Sequence, residues 1–352
     1  MLLSVVIPVF NEAMTLPIML ERLAKALSEL DWEVVFVNDG STDSSLEVLQ
    51  LAAMMDGRVK VLSFPRNFGH QAAITAGLDF AQGDAVVVMD ADLQDPPEIL
   101  PQMLSLLQKG YDVVSPQRVS REGDTFFKRW TAAIFYRLMA SMADGHLTAD
   151  VGDFRLFSRR AVLAIRSFRE QHRFMRGLVG WLGLKEAVMP FERQPRAAGE
   201  TKYPLIKMLR FAWTAISSFS ALPLRLSTAA GVLLSCGGFL YLFRVVYLAL
   251  WTKETVPGWA SVVVLQCIFS GIILLALGMI GDYVARNYEE SKGRPLYIVT
   301  DAFNLQPPDN GVPRASILAE ADLLKVSAPK DSDREPALMI TRFGRRAGRG
   351  SL

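Results

Sequence analysis

The sequence predicts an α/β domain on an open, mostly parallel sheet, followed by a hairpin of two membrane-spanning helices. Three observations predict it. Short β-branched runs alternate with amphipathic helical patterns, polar loops close those runs, and two long apolar stretches follow.

Ser4 to Ile7 reads as the first strand, and Leu16 to Leu30 as a helix with Leu16, Leu20, Leu23 and Leu27 on one face. Glu33 to Val37 is the second strand, followed by a helix from Ser44 to Met55. Val59 to Leu62 is the third, with a helix around Gln71 to Ala81. Ala85 to Met89 is wholly apolar, as a parallel strand buried on both faces should be. A further strand is expected over Asp112 to Ser115. Ligands of open parallel sheets bind beyond the carboxyl ends of the strands. That rule selects the loops Pro8 to Glu12, Asn38 to Asp43 and Asp90 to Asp95.

Hydrophobic residues make up 51% of the 352, high for a protein wholly in water. Leu226 to Leu250 carries one charge, Arg244, and Trp259 to Gly281 carries none. As helices they would reach about 37 and 35 Å, enough to cross a hydrocarbon core of about 30 Å. Arg210 and Arg225 precede the pair, and Arg286, Lys292 and Arg294 follow it, so both long ends are expected in the cytoplasm. Arg244 lies near the outer end, where it can snorkel. Leu2 to Ile7 has no basic flank and stops at Pro8, which argues against a signal peptide and for a chain that begins in the cytoplasm. Cys236 and Cys267 sit in the apolar stretches and read as small buried hydrophobes. A net charge of +2 gives no support for a nucleic-acid partner.

The expected organisation is therefore a catalytic domain over 1–202, an interfacial amphipathic helix over 203–225 and the hairpin over 226–284, with spans at 226–250 and 259–281. A juxtamembrane segment over 285–304 and a disordered basic tail over 305–352 complete it. Phe126 to Met142, aromatic and basic, is a second interfacial candidate.

Met89-Asp90-Ala91-Asp92-Leu93-Gln94 is the sharpest chemical signal. In extended backbone Asp90, Asp92 and Gln94 share a side, so they can converge on a hard cation, Mg²⁺ or Mn²⁺, and leave room for diphosphate oxygens. Such a cation would neutralise charge on a departing nucleoside diphosphate. Asp39, Gly40 and Ser41 form a turn whose carboxylate can accept from a base or ribose hydroxyl, although the same residues make ordinary N-cap chemistry. Pro8, Phe10 and Glu12 suit stacking on a nucleobase and reading its edge. The first strand-to-helix turn has neither a dinucleotide fingerprint nor a P-loop.

Taken in order, PVFNE, VNDGSTD, RNFGH, MDADLQDPPE, GDFRL, RFMRGL and RAAGETKYP resemble the inverting GT-A glycosyltransferases. More narrowly they resemble the bacterial polyprenyl-phosphate glucosyltransferases and the related dolichol-phosphate mannose synthases. The resemblance covers residues 1 to 300. It implies a GT-A (Rossmann-like) fold that takes a sugar, glucose from UDP-glucose, onto undecaprenyl (polyprenyl) phosphate, in a homotetramer. It implies that Pro8, Phe10, Glu12, Asp39 and Ser41 hold the nucleoside, with Asp90 near the ribose or diphosphate. Asp90, Asp92 and Gln94 would hold the metal, Arg196 and Lys202 the diphosphate, and Arg118 and Arg121 the acceptor phosphate. Asp153 falls at the family's proposed base. A phosphate monoester is already largely a dianion at neutral pH, so Asp153 is as well suited to orienting groups as to removing a proton. Its plainer alternative is an ion pair with Arg155 or Arg159. UDP-GlcNAc, aminoarabinose and GDP-mannose donors fit the same motifs. A processive polysaccharide synthase would carry Q-x-x-R-W after the base, which is missing here, and a non-catalytic scaffold would not need the Asp90 triplet.

Overall fold

The computed structural model describes residues 1–118, 151–173, 175–191, 222–247, 251 and 258–305. Four β-α units open the chain: β1 (Leu3–Val9), α1 (Leu16–Ala26), β2 (Trp32–Asn38), α2 (Ser45–Met55), β3 (Val59–Ser63), α3 (His70–Phe80) and β4 (Ala85–Val88), with a 3-10 turn and α4 (Leu100–Gln108) after it. Then come β5 (Val113–Arg118), β6 (Arg155–Ser158), α5 (Arg159–Ser167), α6 (Met175–Leu182) and β7 (Glu186–Phe191). Two long helices, α7 (Leu222–Tyr247) and α8 (Trp259–Ser291), precede a short strand, β8 (Asp301–Phe303).

Among the described residues the strands form one sheet in the order β7-β5-β6-β4-β1-β2-β3-β8. β4, β1, β2 and β3 are mutually parallel, with Leu3 opposite Trp32 and Ala85. β6 runs antiparallel to β4 and β5, and β7 parallel to β5. The sheet is therefore mixed, with its parallel half where sequence alternation predicts it.

Both faces of that half are covered, which is why its strands are mainly apolar, and the charged residues within them, Glu33 of β2 and Lys60 of β3, are buried as an ion pair. Val5, Ile7, Val34 and Val87 face the layer of α1, α2 and α4. Val6, Val35, Val86 and Val88 face α3, α5 and α6. Gly77 lets α3 lie directly on β1: a Cβ there would sit 2.2 Å from Val6 Cγ1. The helix expected to reach Leu30 ends at Ala26, and Leu27 continues into the core as its cap.

After α8 the chain returns to the sheet. β8 pairs antiparallel with β3, and the Asn304 side chain donates to the carbonyls of Ala53 and Val59. Tyr297, 1% exposed, donates from its hydroxyl to buried Asp79 at 2.7 Å, and Arg169 closes on the same carboxylate at 2.7 and 3.0 Å. Burial and the Asp79 charge push the Tyr297 phenol well above its ordinary range.

Of the two expected membrane spans, α8 contains a stretch, Ile268–Ser291, long and apolar enough to cross a bilayer; in α7 the apolar run Ser227–Tyr241 is shorter. The two helices touch one another. Cys236 corrects the reading of that residue as buried: it is exposed on α7, on a surface shared with Val232, Leu233, Phe239 and Leu240. An apolar side chain on a helix facing lipid gains nothing from being covered by protein. The interfacial helix expected at 126–142, residues 203–221 of the one expected over 203–225, residues 252–257 between the spans and residues 306–352 of the tail lie outside the described residues; 222–225 belong to α7, and Leu305 is buried against the domain.

Candidate active site

The carboxyl ends of β1, β2, β3 and β4 lie along one edge of the sheet, and their loops form a polar rim. The first two loops are laced together. Asn11, at φ 57°, donates its amide to Ser41 Oγ at 3.0 Å and accepts from the Thr42 amide at 2.8 Å. The Glu12 amide donates to Ser45 Oγ, and its carboxylate accepts from Thr15 Oγ1 at 3.0 Å. Phe10 stands exposed at the tip and Pro8 is buried in β1. Asp39 is buried, and its two oxygens accept from the amides of Phe68 (2.6 Å) and Gly69 (3.0 Å). Burial pushes its carboxyl up despite those bonds. Asp39 thus holds the third loop. Gly40, at φ 65°, makes this possible, because a Cβ would lie 2.4 Å from the Arg66 carbonyl carbon.

The Asp90 loop corrects the premise of extended backbone. It is a turn, with Leu93 at φ 63°, the Asp90 amide donating to Asp95 at 3.3 Å and the Gln94 amide to Asp92 Oδ1 at 3.1 Å. Side-chain alternation nevertheless survives: Ala91, Leu93 and Asp95 are buried, while Asp90, Asp92 and Gln94 stay partly accessible. Among the described residues no three His, Cys, Asp or Glu side chains converge as a metal cage. A Mg²⁺-like ion needs only one or two carboxylates when phosphates and water supply the rest, so this donor set fits one.

Across the rim stands Asp153, between the bridge residue Val151 and β6. Its ion pair is not with Arg155 or Arg159. Arg155 is buried beside Glu186 and the Gly152 carbonyl, and Arg159 donates to the Ala81 carbonyl. Arg176, in the first turn of α6, is the partner: Nε lies 3.0 Å from Asp153 Oδ1 and Nη2 3.4 Å from Oδ2. Gln71 Nε2 donates to Oδ2 at 3.3 Å, and His70 Nε2 lies 3.6 Å from both Asp153 Oδ2 and Asp90 Oδ1. Burial alone would raise the Asp153 carboxyl, but His70 and Arg176 outweigh it and hold it well below the usual range. The same carboxylates raise His70 against its own burial. Asp90, Asp95, Gly152, Asp153, Arg176 and the aromatic pair Phe154 and Phe191 line a single cleft.

Such a rim on a parallel sheet, acidic on one side and with an Arg-paired carboxylate on the other, agrees with what the chain is similar to. Residues 4–166 match the family model Glycosyl transferase family 2. Over 305 residues the chain is 48% identical to an uncharacterized glycosyltransferase, YkcC, of Bacillus subtilis (strain 168), covering 86% of this chain and 94% of that one. The chain belongs to glycosyltransferase family 2. It is also 38% identical, over 301 residues, to a prophage bactoprenol glucosyl transferase homolog of Escherichia coli (strain K12), across 85% of this chain and 98% of that one. The same identity and coverage hold for a bactoprenol glucosyl transferase of Shigella phage SfV.

In this glycosyltransferase the rim brings together Pro8, Phe10, Glu12, Asp39 and Ser41 on one side, and Asp90, Asp92 and Gln94 beside them. Arg118 ends β5, two residues beyond Pro116, which lines the cleft. Arg121, Arg196 and Lys202 lie outside the described residues. Sequence reasoning missed His70, Gln71, Asp95 and Arg176. His70 and Arg176 stood within the quoted RNFGH and RFMRGL motifs, but nothing in their local spacing points them at Asp153. The rim loop after β3, the one strand end not singled out, could have been found by applying the strand-end rule to all four parallel strands.

Proposed function

We propose that the chain transfers glucose from UDP-glucose to undecaprenyl (polyprenyl) phosphate with inversion, giving a β-linked lipid phosphate sugar. The observation that carries this reading is the cleft itself. A carboxylate loop suited to a metal-bound diphosphate faces an arginine-paired carboxylate across one polar cleft. The similarity to bactoprenol glucosyl transferases supports a polyprenyl phosphate as the acceptor.

In this reading Pro8, Phe10, Glu12, Asp39 and Ser41 hold the nucleoside. Asp90, Asp92 and Gln94 hold a Mg²⁺ or Mn²⁺ ion, which supplies neutralising charge to the diphosphate. Arg196 and Lys202 contact the diphosphate, and Arg118 and Arg121 the acceptor phosphate. One acceptor oxygen bonds to the anomeric carbon as the bond to the diphosphate oxygen breaks, the electron pair leaving with the nucleoside diphosphate. The acceptor is already a dianion, so Asp153 orients groups instead of removing a proton. α7 and α8 span the membrane as a hairpin, with the catalytic domain and both chain ends cytoplasmic, and the protein assembles as a homotetramer.

The test is transfer of radiolabelled sugar to undecaprenyl phosphate by the detergent-solubilised full chain, with and without Mn²⁺. A panel of UDP-glucose, UDP-GlcNAc, UDP-aminoarabinose and GDP-mannose, read by mass spectrometry of the lipid, assigns the donor. Asp92→Ala is expected to lower kcat by about 10²- to 10³-fold. Undiminished product from that variant ends the metal assignment.

A further inference from the structure

We infer that Arg176 binds the phosphate of the acceptor, and that Asp153 and Gln71 aim it there. The inference rests on the transfer reading and adds to it Arg176 and Gln71, which neither motif spacing nor resemblance assigned.

The guanidinium of Arg176 is fixed by Asp153, which accepts from its Nε at 3.0 Å and its Nη2 at 3.4 Å. Gln71 grips both sides of the joint: its Nε2 donates to Asp153 Oδ2 at 3.3 Å, and its Oε1 accepts the backbone amide of Met175, the residue before Arg176, at 3.1 Å. The guanidinium is the more accessible partner of the pair, 34% exposed against 14% for the carboxylate. Asp153 therefore sits behind, and Arg176 reaches into the cleft.

Charge points the same way. The described cleft residues include the carboxylates of Asp90, Asp95 and Asp153, and among them Arg176 alone is fully cationic. A phosphate dianion entering a cleft so lined needs a fixed cation, and a guanidinium meets phosphate oxygens in a bidentate fork. Phe154 and Phe191 are buried beneath the cleft, edge-to-face at 5.9 Å, so what it presents is its polar lining. The transfer reading gives the Asp90 loop to the metal-bound diphosphate. Arg176 stands on the other side of the cleft with Asp153, so the phosphate left for it is that of the acceptor.

The experiment separates acceptor from donor. In the purified full chain, Arg176→Gln is expected to raise the KM for undecaprenyl phosphate by about 10- to 100-fold, with the donor KM within about twofold of wild type. Arg176→Lys should recover part of that loss. Asp153→Asn should also raise the acceptor KM, because it loosens the aim. Native mass spectrometry of bound undecaprenyl phosphate, with undecaprenol as control, gives a second readout: Arg176→Gln should lose phosphate-dependent binding and keep the alcohol. If the wild type binds the lipid phosphate but transfers no sugar, the transfer reading fails while the Arg176 assignment is still decided by binding. An unchanged acceptor KM in Arg176→Lys and Arg176→Gln, or acceptor and donor KM rising in parallel, overturns the inference. Loss of kcat in Asp153→Asn with acceptor KM untouched overturns the aiming role.

Discussion

The two halves of the sheet reach the same cleft by different routes. In the parallel half, β1 to β4, each strand is mainly apolar and ends in its own rim loop, so local sequence encodes both core and site. In the antiparallel half, Asp153 enters from the residues before β6 and meets Arg176 from α6, His70 and Gln71 from α3, and Phe191 from β7. No single stretch encodes that wall. The parallel half builds a pocket by repetition, and the other half builds one by convergence.

The return of the chain after α8 extends this contrast, since Tyr297 completes a buried charge cluster begun by Asp79, 218 residues earlier. Asp79→Ala should be the most damaging change at this seam. It would leave the Tyr297 hydroxyl without its acceptor and Arg169 without its counter-ion, with Arg166 and Arg173 also close by. A loss of about 3 kcal/mol is expected from urea unfolding of the solubilised protein. A change below about 1 kcal/mol would show that the return segment is only draped on the domain.

Gly77→Ala tests the repetitive half. Its new methyl would meet Val6 Cγ1 at 2.2 Å, so α3 must lift from β1, costing roughly 1–3 kcal/mol in the same assay. Because α3 starts at His70, the shift should also move Gln71 and weaken the opposite wall. Tyr297→Phe is milder: it removes one hydrogen bond and leaves Asp79 paired with Arg169, so about 1 kcal/mol is expected.

The same contrast decides what could be read in advance. The β-α alternation, the buried character of Val86 to Val88 and the carboxylate loop after β4 follow from period and from the strand-end rule, because each is settled by neighbours in sequence. The extended reading of Asp90 to Gln94 erred for a local reason. Leu93 takes a left-handed turn so that Asp95 can reach back to the Asp90 amide, and a pattern of residue types does not show a single positive φ. Arg176 escaped for a non-local reason: its role depends on Gln71 and Asp153, each brought to it by a different crossover of the sheet.

The smallest expected effect concerns His70, which sits where the two halves meet. Asp153 and Asp90 raise its pKa in the folded state, so its protonation favours folding. That contribution is full below the unfolded value of about 6.5 and is lost as pH rises through the folded value above it. Asp153 has the opposite sign: its lowered pKa gives stability that is present above about pH 4 and lost only as pH falls through the folded value. The two groups therefore act in separate windows. In EDTA, thermal stability of the wild type should fall slightly from pH 6.5 upward, and His70→Gln should flatten that slope while moving the acid limb to higher pH, because His70 is one of the groups that hold Asp153 low. His70 is nearly half exposed, so solvent screening keeps the slope shallow. A slope unchanged in His70→Gln would mean that the imidazole does not couple the two walls, and that the Asp153–Arg176 pair stands without it.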